Sequence, residues 1–106
     1  MTTTEKTYVA TLVAFICAAS DSQKGTLYFT NTCRELGVSN QDVLNCTSRG
    51  PAFKETVYAS LRSMPDYDKK QAQQYIIKAA LAAGSTLAAL IMKEIVEECN
   101  MIDHVL

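Results

Sequence analysis

Residues Gln71–Cys99 read QAQQYIIKAALAAGSTLAALIMKEIVEEC, and the reading of this stretch decides the fold. Alanine, leucine, glutamine and lysine recur through it, and these are strong helix formers. Ala72, Tyr75, Ile76, Ala79, Ala80 and Ala83 keep the i, i+3, i+4, i+7 spacing of one helix face. Leu87, Leu90, Ile91 and Ile95 repeat that spacing in the second half. Gly84 suits the left-handed position that closes a helix, and Ser85 or Thr86 can cap the next one. The stretch therefore predicts two core helices hinged at Gly84-Ser85. One helix running through Gly84 is the alternative, because an interior glycine costs only about 1 kcal/mol. Ala79, Ala80, Ala82, Ala83, Ala88 and Ala89 lack bulk, so a neighbouring helix can approach towards the low end of the usual interaxial range of about 8–10 Å.

Working outward, Thr4 can cap a first helix ending near Ala19. Tyr8, Leu12, Phe15, Ile16 and Ala19 form its face, with Val9 and Val13 widening it, as in a helix covered on two sides. Residues 20–25, SDSQKG, read as a loop. A second helix follows over Thr26–Leu36, with Phe29, Thr32, Cys33 and Leu36 as its stripe and Gly37 as its left-handed end. Ser39 and Asp42 resemble a capping box opening a short third helix, anchored by Val43 and Leu44, to about Thr47. Pro51 fits the first turn of a fourth helix carrying Phe53, Val57, Leu61 and Met64. Asp66 or Asp68 caps the fifth, the sixth ends near Cys99-Asn100, and a short apolar tail of Met101, Ile102, Val105 and Leu106 follows. No strand pattern appears. The prediction is an all-α single domain over residues 1–106, a compact bundle of about five to six helices.

Composition narrows the function. A chain of 106 residues, 48% apolar, can bury one core. Ten Lys and Arg balance eleven Asp and Glu, leaving a net charge of −1, so nothing favours nucleic acid. Cys17, Cys33, Cys46 and Cys99 match neither a redox CxxC nor a zinc spacing, and read as small buried residues of a cytoplasmic protein, with one disulfide or a redox thiol as the sharper alternative. Residues 8–19 have the apolar character of a leader core. Against a leader, residues 1–6 carry no net positive charge and Ile16 spoils a lipoprotein box before Cys17. That run and residues 79–92 are both too short to span a bilayer.

Candidate chemistry is sparse, and no catalytic, cofactor-binding or metal-ligating residue is assigned. His104, the single histidine, lies two residues before Leu106, where a positioned base is not expected. The four glycines stand alone, so no phosphate loop exists. Lys93, Glu94, Glu97 and Glu98 read as a solvated helix end. Tyr28 falls off its helix's apolar stripe and reads either as a partner surface or as packed on a neighbouring helix. Three functions compete. They are a non-enzymatic interaction or self-association module, possible as a homodimer, a binder of a small apolar ligand in a pocket between the Ala-rich helices, and a redox protein using Cys33 or Cys46.

Shifting the chain on itself by 99 − 36 = 63 positions aligns Leu12-Val13 with Tyr75-Ile76, Cys17 with Ala80, Leu27 with Leu90, Leu36 with Cys99, and Gly37-Val38 with Asn100-Met101. Two helix hairpins in pseudo-repeat, joined by shorter middle helices, would give this echo. The layout resembles the TerB-like (tellurite-resistance B-like) helical family. Residues 15–21, FICAASD, look like the end of that family's first helix and its acidic loop, and residues 33–39, CRELGVS, like the end of its second. Residues 79–84 and 95–101 take those places in the second copy. The resemblance covers most of residues 8–102. It implies a bacterial, cytoplasmic helical module, stress-related or self-associating. The family's metal-binding carboxylates are not matched. Asp21-Ser22 and Ala83-Gly84 stand where it has Asp-Gly, and residues 28–32 and 88–92 contain no acid. Asp21 alone cannot hold a hard cation, which takes six or more oxygens, so Asp21 is expected to be a loop residue or cap.

Overall fold

The computed structural model describes residues 1–101 as six helices. They are α1 (Thr3–Cys17), α2 (Gln23–Leu36), α3 (Asn40–Thr47), α4 (Ala52–Arg62), α5 (Asp66–Ala83) and α6 (Thr86–Glu98). No strand occurs among the described residues. Helix α1 buries Val9, Ala10, Thr11, Leu12, Val13, Ile16 and Cys17. Five consecutive buried residues sweep the whole circumference of a helix, and α1 accordingly packs against each of the other five helices. The Gln71–Cys99 stretch is therefore not the hub. Its first half, α5, is the principal neighbour of α1, and α2 and α6 lie across the pair.

Cap chemistry sets the boundaries. Thr2, not Thr4, caps α1, because the capping box needs an acid three residues on: Glu5 N–H donates to Thr2 Oγ1, and Thr2 N–H donates to Glu5 Oε1 at 2.8 Å. Helix α2 begins at Gln23, three residues before the expected Thr26, since Ser22 accepts from Lys24 N–H. Gly25 thus belongs to a first helical turn. A Cβ there would lie 2.5 Å from Ser20 Cβ, so the loop end of α1 closes directly over α2. The Ser39–Asp42 capping box forms as expected. Neither Asp66 nor Asp68 caps α5. Pro65 takes that position without a side-chain bond, and Asp68 lies 3.4 Å from the Met1 ammonium.

Gly84 breaks the Gln71–Cys99 stretch as predicted. Its φ is +71°, a conformation costly for any residue with a Cβ, and Ser85 caps α6 through Ala88 N–H. The inner face of α5 is the one read from the sequence: Ala72, Ile76, Ala79, Ala80 and Ala83 are buried, with Tyr75 half-buried. The face of α6 is read only in part, since of the four residues expected there Ile95 alone is buried. Ala88, Met92, Ile95, Val96 and Cys99 point inward, while Leu87 and Leu90 face solvent and Ile91 is half-buried. The i, i+4, i+7, i+8, i+11 series turns fully buried Ala88 inward, where a leucine would demand more room. Leu44 is likewise exposed, and Cys46 joins Val43 as the buried anchor of α3.

The 63-residue echo extends to burial and caps. Val9 and Ala72, Val13 and Ile76, Ile16 and Ala79, and Cys17 and Ala80 are buried in matching pairs, as are Gly25 and Ala88, Cys33 and Val96, Leu36 and Cys99, and Val38 and Met101. Ser22 and Ser85 cap the equivalent helices α2 and α6. Gly37 and Asn100 end them at φ +70° and +52°. In each case the next residue's N–H donates to a carbonyl five positions back, Val38 to Cys33 and Met101 to Val96, the wider bond of a Schellman end. The α1–α2 and α5–α6 hairpins are joined turn to turn. Ser85 Oγ donates to Ala19 O at 2.6 Å, and Ser20 Oγ reaches Ala83 O at 3.4 Å. Of the expected apolar tail, Met101 is buried, and Ile102, Val105 and Leu106 lie outside the described residues.

Ser85 and Ser22 both cap a helix, but only Ser85 also ties the hairpins together. Losing a serine cap costs about 1 kcal/mol, and a further hydrogen bond about 1 kcal/mol more. Ser85→Ala is expected to lower Tm about twice as far as Ser22→Ala in thermal melts followed by circular dichroism.

Candidate functional site

Among the described residues, six large apolar side chains are exposed by more than half: Leu27, Leu44, Tyr67, Leu81, Leu87 and Leu90. Four of them flank the joined turns. Leu27 lies near the start of α2, Leu81 near the end of α5, and Leu87 and Leu90 one turn apart at the start of α6. The serine bonds draw these helix ends together, so this end of the bundle carries leucines 58–75% exposed. Leu27 and Leu90, paired by the 63-residue shift, share the same exposure. The sequence reading counted Leu87 and Leu90 as core and so missed this surface.

A second feature is a cleft of about 460 Å³ bounded by α1, the α3–α4 turn, α4 and α6. Phe15, Pro51, Phe53, Val57, Ile91 and Ile95 give it largely apolar walls, and Thr47 lies at its edge. Phe53 stacks edge-on against Tyr8 at 5.5 Å and carries the Arg49 guanidinium 5.0 Å above its ring. Exposed Lys54 and Glu94 stand on opposite helices of the cleft, 3.6 Å apart. Lys54 Nζ also lies 6.0 Å from the centre of the Tyr58 ring. Tyr58 is only 4% exposed, and its hydroxyl has no hydrogen-bond partner among the described residues. Burial pushes its ionisation well above the ordinary phenol range, with Glu94 adding to the effect. The sequence reading did not single out Tyr58, though it neighbours Val57 and lies three residues from Leu61 on the α4 stripe.

Between α2 and α5 lies a polar groove of about 550 Å³, lined by Tyr28, Arg34, Glu35, Tyr75 and Lys78 among others. Tyr28 does not stand free: its hydroxyl donates to Tyr75 O at 3.0 Å, tying α2 to α5. Of the two readings left open for it, packing on a neighbouring helix is what the fold displays.

All four cysteines are free thiols and buried. Burial pushes the Cys17 thiol up to about 11, against a bond from the Phe29 backbone, and Cys99 up to about 12; Cys33 is raised by burial too. A buried protonated thiol is a poor nucleophile and metal ligand. Asp21 is exposed, in the loop before the Ser22 cap. Among the described residues, no three His, Cys, Asp or Glu side chains gather where they could hold a metal ion. His104 lies outside the described residues. Glu94 pairs with Lys54, whereas Lys93, Glu97 and Glu98 are exposed. No helix of the described residues is long and apolar enough to cross a membrane.

The thiols make a signed pH prediction. Unfolded cysteines ionise near 9.0, while folded Cys17 and Cys99 keep their protons to about 11 and 12. Above 9.0 the unfolded state therefore binds fewer protons, and stability falls as pH rises towards 12. Urea melts across that window are expected to show this decline, with a shallower slope in Cys99→Ala.

No family model, curated protein or solved structure matches this chain.

Proposed function

We propose that this protein is a non-enzymatic helical interaction module that associates with a second copy of itself through its leucine-bearing end. The observation that carries this reading is that Leu27, Leu81, Leu87 and Leu90, on the helix ends next to the joined turns, are all exposed. Single exposed leucines are ordinary, but several on adjoining helix ends mark an interaction surface. A net charge of −1 offers little electrostatic resistance to self-association. Fully burying a leucine is worth about 1.5–3 kcal/mol, so four per protomer can hold a dimer once association entropy is met.

The TerB-like resemblance belongs to the same proposal. It is supported by the matched caps and burial of the two hairpins, and it adds a cytoplasmic, stress-related setting. Its divalent-metal chemistry is left out, because Asp21 stands without the partner carboxylates such an ion needs.

Sedimentation velocity over a wide concentration range tests the proposal. The wild type is expected to shift from monomer towards dimer, and Leu87→Glu with Leu90→Glu to stay monomeric with an unchanged helical spectrum. A wild type that remains monomeric at millimolar concentration contradicts it.

A further inference from the structure

The cleft between α4 and α6 shares no residue with the leucine-bearing end, and its construction points to a different use. Its volume of about 460 Å³ falls inside the range typical of small-molecule sites, about 300–1,000 Å³. Three of its apolar walls, Phe15, Phe53 and Ile91, are only half-buried, so apolar area remains to be covered. Phe15, Phe53 and Tyr58 contribute aromatic rings, which favour offset or edge-on contact with another ring. Lys54 and Glu94 neutralise each other at 3.6 Å on the rim, so neither is free to compensate an ionised ligand. Among the lining residues, Tyr58 alone has a buried side-chain polar atom without a partner among the described residues, so this wall is the less settled part of the core.

We propose that the cleft bounded by Phe15, Phe53, Tyr58 and Ile91 binds a small uncharged molecule with a flat aromatic body. The site is distinct from any pocket along the alanine faces of α5, where Ala72, Ala79, Ala80 and Ala83 are buried in the core. It is also independent of self-association.

N-phenyl-1-naphthylamine, a neutral fluorophore that brightens on leaving water, serves as the probe. The wild type is expected to give a saturable rise in fluorescence. Ile91→Glu, which sets a charge in the wall, is expected to weaken binding by about tenfold or more. Thr47→Trp fills the cleft from an exposed position that makes little demand on folding, and is expected to do the same. If Ile91→Glu fails to fold, Thr47→Trp alone decides. Leu87→Glu is expected to bind as the wild type, whether or not it dimerises. The anionic anilinonaphthalene sulfonate is expected to bind about tenfold more weakly or worse. No saturable signal, wild-type binding by Thr47→Trp, loss of binding in Leu87→Glu, or equal binding of the anion would each overturn the assignment.

Discussion

The packing of α1 against α5 is the contact on which the rest of this molecule depends. Val9, Val13 and Ile16 on one helix and Ala72, Ile76 and Ala79 on the other are fully buried. The two sets occupy equivalent positions under the 63-residue shift but differ in bulk. Apart from Ile76, the inner surface of α5 is mostly methyl groups, so small side chains on this helix offset the branched ones on α1. Once α1 and α5 are together, α2 and α6 close over them, each touching both. The serine bonds between Ser85 and Ala19 and between Ser20 and Ala83 then fasten the hairpin turns.

That arrangement determines what is left outside. Helix α6 has two apolar sides, and only one can be turned inward. Ala88 lets the helix settle closely, so the Ala88–Met92–Val96 side is chosen and Leu87 and Leu90 are turned to solvent. The exposed leucines are thus a consequence of the core's preference for small residues at crossings. The α3–α4 segment covers the opposite flank of α1 less completely. Helix α4 meets α6 and α1 along short seams, and Phe15, Phe53 and Ile91 remain half-covered beside the cleft.

Much of the fold was legible because its signals are local. Gly84, Gly37, Ser85 and the Ser39–Asp42 box act within a few residues of themselves, and α5 has one unambiguous apolar side. The misplaced starts of α1 and α2 were legible too, in Glu5 three residues after Thr2 and in Ser22. The face of α6 was not, because a helix apolar on two sides gives no periodic signal for which side the bundle will take. Tyr58 escaped for a related reason. A tyrosine next to the Val57–Leu61 stripe is equally compatible with a wet or a dry hydroxyl, and only the approach of α6 decides. The cleft depends on how short helices from distant parts of the chain fail to close, which no local pattern encodes.

The packing of α1 on α5 is tested most directly by adding bulk at a fully buried alanine of the inner face of α5. Ala79 is fully buried on the inner face of α5. Overpacking a filled core costs about 1–3 kcal/mol, and for a domain of this size each kcal/mol moves Tm by about 4–8 °C. Ala79→Leu is therefore expected to lower Tm by about 5–20 °C in thermal melts followed by circular dichroism. An unchanged or raised Tm would mean that the two helices leave room between them, and would contradict the account.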